Sequence, residues 1–534
     1  MYDPSRYPTP TPLAVSALAD QKPNAIAIDS ISTNEQLTWR EVDDNCRRWA
    51  DALRHLKVHS GDTVVTLFPN VPAASFAWLG CGWLRAIEVP VNPDYRGDWL
   101  IHAIHNARAR VVVTSRLYLT QLAAVAPSLP YVKIVVIYDA KPEDQAHFGD
   151  IIRVIKGSEF FADADPSRDF EPPRISDIMG VIYTSGTTGP AKAVIQPWGS
   201  SASSLELFRG EEFDNAVLYM FSPQFHAVGK SALLLPAARD GRLVMRERFS
   251  ASEFWDDIRK YGCTVAHTIS VIPNFLMQQP PRENDADNPL RVVVMGPVIP
   301  EVDEFKRRFN VNVVTTFGST EAGAVFSSRE RGVHSANWRS CGRLIPDGPV
   351  EVAIVDESDF PVGPHVVGEL VMRPRYPWTM NMGYLNMPEE TVRAWRNGWF
   401  HTGDAFTYDE DGDYYFFDRA KDYIRRRGEN ISSFEVERAV DKFPAVAQSA
   451  AIAVTSEVGE DEVMLVVVPR EKETLNPAEL IRFLVAHLPP FALPRYVELI
   501  DSLPQTQTTM RIRKSRLRER GPGEFTYDRM KDGN

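Results

Sequence analysis

From Thr38 onward, apolar side chains recur at Val42, Cys46, Trp49, Leu53 and Leu56, at intervals of three and four residues. That spacing puts them on one stripe of a helix over residues 38–56. Thr38, followed three positions later by Glu41, makes a capping box at its start. A strand is predicted next at 63–68, then a helix over 73–85 and a strand at 87–91. Further apolar runs lie at 111–113, 134–137, 217–221, 265–268, 292–295 and 313–317, most of them separated by stretches long enough for helices. Alternation of this kind predicts an α/β protein of layered subdomains with largely parallel sheets.

The character shifts after about Gly368, where short strands and turn signals predict a β-rich subdomain. Asp411-Gly412, between the apolar runs around Tyr408 and Tyr414, is a hairpin signal. A charged stretch from Asp418 to Arg427 then sets off a tail with its own helix at 433–443 and strand at 463–468. We read residues 1–419 as a large N-terminal domain and 420–534 as a small α+β C-terminal domain. No repeat or low-complexity segment stands out.

Composition narrows the classes. A chain of 534 residues is too long for one hydrophobic core, and 44% hydrophobic with 24% charged residues is ordinary for a globular protein. The net charge of −12 argues against a general nucleic-acid binder. Cys46, Cys81, Cys263 and Cys341 are scattered, with no C-x-x-C pair, which argues against a disulfide framework or a zinc site and fits a reducing compartment. The first residues lack the apolar core of a signal peptide, and no run of about 18 apolar residues exists. The cytoplasm is the expected location.

The chemistry concentrates in Tyr183-Thr184-Ser185-Gly186-Thr187-Thr188-Gly189-Pro190-Ala191-Lys192, which follows a predicted buried strand. Glycines let backbone N–H groups approach a polyphosphate closely, while hydroxyls and an ammonium add donors. The spacing is not that of a Walker A loop. Read alone, the stretch is either a phosphate cradle or a polar surface turn.

Four more motifs follow in order: Phe317-Gly318-Ser319-Thr320-Glu321-Ala322-Gly323, Gly398-Trp399-Phe400-His401-Thr402-Gly403-Asp404, Asp418-Arg419-Ala420-Lys421-Asp422-Tyr423-Ile424, and Gly428-Glu429-Asn430-Ile431-Ser432. Their order and spacing resemble the adenylate-forming superfamily of acyl-CoA synthetases, peptide-synthetase adenylation domains and luciferases, over nearly the whole chain. The segment around Gly428 and Asn92-Pro93-Asp94-Tyr95-Arg96-Gly97 look most like the carnitine/crotonobetaine CoA-ligase-like branch.

The resemblance implies that a carboxylate attacks ATP to give an acyl-adenylate, after which a mobile small domain helps transfer the acyl group to a thiol, often that of coenzyme A. It implies a phosphate loop of Thr184, Ser185, Gly186, Thr187, Thr188, Gly189 and Lys192. Glu321 matches the Mg²⁺ ligand and Thr320 a phosphate contact beside it. Phe317, Gly318 and Gly296 match the adenine surroundings, Asp404 the ribose acid, and Arg419 a ribose or phosphate contact. Lys421 matches the hinge and Gly428 the pantetheine tunnel. His226 matches a histidine bordering the acid, and Trp198 a pocket wall. The acid pocket itself is expected near His226, Pro297 and Ala322. Taken singly, each has a plainer reading: a helix cap for Thr320-Glu321, a core ring for Phe317, an ion pair for Arg419, a solvated side chain for Lys421, a hydrogen-bonded histidine for His226.

The tail departs from the family pattern. Its Leu-Pro-x-Thr-x-x-Gly-Lys becomes Leu503-Pro504-Gln505-Thr506-Gln507-Thr508-Thr509-Met510-Arg511, so the lysine that bridges carboxylate and α-phosphate is missing. Arg511 is the expected replacement, able to contact both anions bidentately. Lys514 is the weaker stand-in, three residues further on. Three readings follow: an acid–CoA ligase; an adenylating enzyme without CoA, using nitrite to diazotise an aryl amine or loading a carrier protein; and a nucleotide-binding non-enzyme, against which the other motifs argue. A homodimer is left open.

Overall fold

The computed structural model describes residues 8–534 except 142, 145–147, 149–151, 185–190, 270–271, 420–422, 427–428, 457–459, 472, 505–511, 513, 524 and 532–534, and except the side chains at 203, 417–419, 423, 425, 430, 432, 434 and 515. Chain contacts divide it into two compact units. The first comprises Met1–Pro93, Ile104–Tyr183 and Ala193–Asp418; the second comprises Asp94–Ala103, Thr184–Lys192 and Arg419–Asn534.

In the first unit, the helix Trp39–His55 begins as its sequence requires. Thr38 accepts a hydrogen bond from the Glu41 backbone while the Glu41 carboxylate accepts one from the Thr38 backbone. Its buried stripe, including Val42, Cys46, Trp49 and Leu53, packs against the helix Pro72–Trp83, which is buried on every side. A helix apolar all round needs cover on all its faces.

Three main sheets follow. A parallel sheet of five strands runs Ile87–Pro90, Thr63–Leu67, Val111–Thr114, Ile134–Ile137, Arg153–Lys156. A second, of seven, has Val217–Met220, Val265–Ile269 and Val292–Gly296 among its parallel strands and ends at Asn312–Val314. The third is antiparallel, in the order Thr316–Ser319, Gly323–Ser327, Ser340–Leu344, Asp413–Arg419, Phe400–Tyr408, Gly368–Pro374, Val350–Val355. The hairpin expected at Asp411-Gly412 joins two of its neighbouring strands.

Two expectations change. The run 313–317 is not one strand: Asn312–Val314 belongs to the parallel sheet and Thr316–Ser319 to the antiparallel one. The chain changes sheets at buried Thr315, whose backbone N–H donates to Ser328 Oγ at 2.8 Å. An apolar run gives no sign of such a switch, because Val313, Val314 and Phe317 read alike whichever sheet they join. The β-rich region accordingly starts at Thr316, well before Gly368.

The second unit holds a four-stranded sheet, Val446–Thr455, Asp461–Pro469, Tyr496–Leu499 and Tyr527–Asp528, with the hairpin Tyr423–Arg426 and Glu429–Ser432 and the helix Ser433–Val440. Arg426 is buried there. Its guanidinium donates to the carbonyls of Phe491 and Leu493 at 3.0 and 2.9 Å and pairs with Glu462 at 2.7 Å.

Candidate active site

The turn Thr320-Glu321-Ala322 closes the antiparallel hairpin of Thr316–Ser319 and Gly323–Ser327. Gly318 is required in it: a Cβ there would lie 2.3 Å from the Gly323 carbonyl oxygen. The Glu321 carbonyl accepts from Asn381 twice, from the backbone N–H at 2.9 Å and from Nδ2 at 3.1 Å. Tyr384 donates its hydroxyl to Glu321 Oε1 at 3.4 Å.

Asn381 and Tyr384 are themselves held by the strand Lys192–Pro197. The N–H of Met382 donates to Ile195, that of Ile195 to Gly383, and that of Leu385 to Ala193, at 2.9, 3.0 and 2.8 Å. Gln196 of the same strand donates to the Thr320 carbonyl. The segment after the phosphate-loop motif is thereby stitched to the Thr320-Glu321 turn.

Phe317 is partly buried, its ring 4.7 Å from that of Phe406 and 5.9 Å from that of Phe326. Gly296, at the end of its parallel strand, lies against the Thr316 carbonyl. Asp404 sits two residues before Phe406 on the strand Phe400–Tyr408 and is buried. The ladder slips there, the partner of Glu369 being Ala405 and that of Val371 being His401. Such a slip re-aims side chains. Gly403 takes the left-handed φ of +72° it needs, and its N–H donates to Glu369 Oε1 at 2.9 Å. The Asp404 N–H donates to Thr402 Oγ1 at 3.0 Å.

His226 precedes the short helix Ala227–Lys230 and accepts through its carbonyl from the Lys230 N–H at 2.8 Å. A cavity of about 50 Å³ opens beside this helix, lined among others by Ala227, Lys230, Ser319, Thr320 and Gly323. Trp78 also lines it and stacks on Trp198, with ring centroids 5.3 Å apart. Pro297 and Ala322 are not among its described lining residues; Ala322 is fully buried in the core of the antiparallel sheet.

The first unit thus gathers Phe317, Gly318, Thr320, Glu321 and Gly296, with Asp404 linked through Phe406, while His226 itself does not line the cavity and only precedes the helix that does. Thr184 ends the strand Ile178–Thr184 and Lys192 begins Lys192–Pro197; both fall in the second unit, as does Arg419. Ser185, Gly186, Thr187, Thr188, Gly189, Lys421, Gly428, Met510 and Arg511 lie outside the described residues, as does the side chain of Arg419. Lys514 is described, and it binds within its own unit: Nζ is 2.6 Å from Glu437 Oε1 and 2.7 Å from Ser433 Oγ.

Sequence reasoning missed Asn381, Tyr384, Gln196 and the pair Lys230–Glu88, whose Nζ and Oε2 are 2.6 Å apart with both side chains buried. The available signal for the last was Glu88 itself, a carboxylate in an otherwise apolar strand, Ile87-Glu88-Val89-Pro90. Burial pushes the Glu88 pKa up and the Lys230 pKa down, and their contact opposes both shifts.

Among the described residues no group of three or more His, Cys, Asp or Glu could hold a metal ion by itself. Mg²⁺ characteristically takes one or two carboxylates and completes its shell with water and substrate phosphates. The single carboxylate of Glu321, at a turn fixed by Asn381, fits a metal that arrives with a nucleotide.

The matches to known families put the chain among the adenylate-forming enzymes. The chain belongs to the AMP-binding enzyme family, which matches residues 15–385, and the AMP-binding enzyme C-terminal domain matches 435–509. It is 28% identical to the crotonobetaine/carnitine–CoA ligase of Salmonella typhi over 491 residues, covering 90% of this chain and 93% of that one. Its fold is shared with the amide bond synthetase McbA from Marinactinospora thermotolerans, at TM-score 0.82 and 22% identity, covering 96% of this chain and 99% of that one. It is shared as well with a double mutant of o-succinylbenzoate CoA synthetase from Bacillus subtilis, at TM-score 0.79 and 21% identity, covering 95% and 98%. Among the described residues no helix is long and apolar enough to cross a membrane.

Proposed function

We propose that the chain is an AMP-forming ligase that joins a carboxylic acid to ATP and passes the acyl group to coenzyme A. In the first step a carboxylate oxygen attacks the α-phosphorus, the bond to the bridging oxygen breaks, and pyrophosphate leaves with the electron pair. In the second the CoA thiolate attacks the acyl carbon and AMP leaves. The carrying observation is that one hairpin holds Phe317, Gly318, Thr320 and Glu321 at the edge of a cavity, with Phe317 packed on Phe406 of the strand bearing Asp404.

In this reading Phe317 offers a face to adenine, and Asp404 accepts from the two ribose hydroxyls. Thr320, the hydroxyls and glycines from Thr184 to Gly189, and Lys192 bind the phosphates. Mg²⁺, held by Glu321, would neutralise charge on the phosphates. His226 borders the acid, and Arg419 contacts ribose or phosphate. Arg511 bridges carboxylate and α-phosphate, Lys421 is the hinge of a boundary at 419/420, and Gly428 lines the pantetheine path. The work left to these groups is to hold two anions in line and offset the charge that develops on phosphorus. The similarity to a crotonobetaine/carnitine–CoA ligase over most of both chains favours CoA over nitrite or a carrier protein.

AMP release measured over a panel of carboxylic acids, with and without CoA and nitrite, tests this. The expected result is AMP and pyrophosphate formation that requires an acid, with acyl-CoA as product when CoA is present. Turnover that ignores CoA and demands nitrite with an aryl amine, or a carrier protein, would replace the CoA assignment.

A further inference from the structure

The cavity beside the Thr320 turn is also lined by a buried charged residue. Lys230 lines it, and both Lys230 and its partner Glu88 are almost wholly buried, at 3% and 1% exposure. Glu88 is fixed from the other side by Thr66, whose hydroxyl donates to Oε1 at 2.8 Å. The ammonium also lies 5.1 Å from the centre of the Trp78 ring. An ammonium carries three N–H donors, and among the described residues Glu88 is its one hydrogen-bond acceptor. Donor capacity is therefore left beside the cavity.

The serines around it are mostly committed as donors. Ser200, Ser201 and Ser231 give their protons to the carbonyls of Pro197, Trp198 and Val228 at 2.7, 2.7 and 2.8 Å. Their oxygens are left as acceptors. Ser319, also in the lining, has a buried hydroxyl with no hydrogen-bond partner among the described residues. A pocket with unused donors and acceptors penalises an occupant that cannot use them.

Size and charge restrict the occupant further. A water needs roughly 10–15 Å³ of such space, so a cavity of about 50 Å³ takes a few heavy atoms rather than a fatty chain. Lys230 and Glu88 cancel in charge, so a second carboxylate brought here would be a net buried anion. A neutral group that both accepts and donates avoids that cost.

We propose that Lys230 and Glu88 are specificity-determining residues that select a short acid bearing a neutral hydroxyl or aryl-amino substituent, against unsubstituted acids and diacids. The assignment rests on the acid-activating reading above. The neutral substituent accepts from the Lys230 ammonium and donates to a serine oxygen.

The test is ATP–pyrophosphate exchange with matched acids: butyrate, hexanoate and decanoate; 4-hydroxybutyrate; succinate; and benzoate against 3-hydroxybenzoate and 3-aminobenzoate. The wild type is expected to favour the hydroxy or aryl-amino compound over its unsubstituted parent by about tenfold or more in kcat/KM. Because one unpaired buried charge could unfold the protein, the variants remove the pair together. Lys230→Met with Glu88→Gln should bring the preference close to one, while Lys230→Gln with Glu88→Gln, which keeps hydrogen-bonding groups, should retain part of it. Thermal melts confirm folding of both. Preference for decanoate, succinate or the unsubstituted parents, or an unchanged preference in a folded Met/Gln variant, would overturn the pocket assignment alone. No exchange with any acid would overturn the acid-activating reading, and the pocket assignment with it.

Discussion

Lys514 Nζ lies 2.6 Å from Glu437 Oε1, and Glu437 also accepts from the Ala451 backbone N–H at 2.8 Å. Burial raises the Glu437 pKa and the lysine opposes that rise. A lysine committed in this way anchors the helix Lys514–Arg520 to the helix Ser433–Val440. It is therefore a poor candidate for the cation that joins carboxylate to α-phosphate, the role proposed above for Arg511. Lys514→Met should destabilise the protein by about 2–3 kcal/mol, as removal of one partner of a largely buried pair does, and should lower adenylation by no more than a few-fold below its melting temperature. Arg511→Ala should do the reverse: a normal melt, adenylation slowed by about 10²-fold or more, and near-normal thioester formation from preformed acyl-AMP. Pyrophosphate release at the wild-type rate in the Arg511 variant would remove the assignment.

Asn381 acts on Glu321 through the main chain, donating twice to its carbonyl. Asn381→Ala deletes that side-chain bond, together with those its Oδ1 accepts from the Gly383 N–H at 2.9 Å and Trp395 Nε1 at 3.2 Å, and leaves Glu321 itself in place. In the proposed reading Glu321 holds Mg²⁺, and groups that orient a metal-binding side chain typically contribute about 10–100-fold. We expect a loss of that size in adenylation, with a steeper dependence on Mg²⁺ concentration than in the wild type. Tyr384→Phe removes the 3.4 Å contact to Glu321 Oε1 and should cost less. A loss in the Asn381 variant with unchanged Mg²⁺ dependence would assign it a packing role only.

The sequence pattern made much of this fold legible, for reasons that differ by residue. The capping box at Thr38 and Glu41 is local chemistry, and it is present as read. The central parallel strands were visible because strands buried on both faces are apolar throughout. The switch of sheets at Thr315 was not, since nothing in Val313-Val314-Thr315-Thr316-Phe317 distinguishes one buried sheet from another. Phe317, Thr320, Glu321 and Asp404 were candidates from the sequence because they lie in contiguous motifs. Asn381 and Tyr384 come to Glu321 through pairing between residues 193–197 and 381–385, far apart in sequence. Lys230 and Glu88 are 142 positions apart, and no spacing rule connects them.

Gly318 gives a local test of the hairpin that positions Thr320 and Glu321. Any side chain there puts a Cβ 2.3 Å from the Gly323 carbonyl oxygen, a backbone atom that cannot swing aside. Gly318→Ala should therefore open the hairpin at the turn and destabilise the protein by about 1–3 kcal/mol, the range for overpacking. Nucleotide binding should weaken along with the melting temperature. Unaltered affinity for ATP in this variant would mean that the geometry of the turn does not govern the nucleotide site.

His267 predicts the acid limb of stability. It lies on the strand Val265–Ile269, and its Nδ1 is buried with no hydrogen-bond partner among the described residues. Burial disfavours the charged ring and takes its pKa from 6.5 down to about 4. Between those values the unfolded chain binds the proton and the folded chain does not, so stability rises with pH through this window. The contribution is complete above pH 6.5 and is lost as pH falls toward 4. His267→Leu keeps an apolar side chain in the strand and removes the titration. Melting temperatures of wild type and variant, followed from pH 7 to pH 4, should diverge progressively, with the variant the more acid-tolerant. Parallel curves would show that His267 does not set the acid sensitivity of this fold.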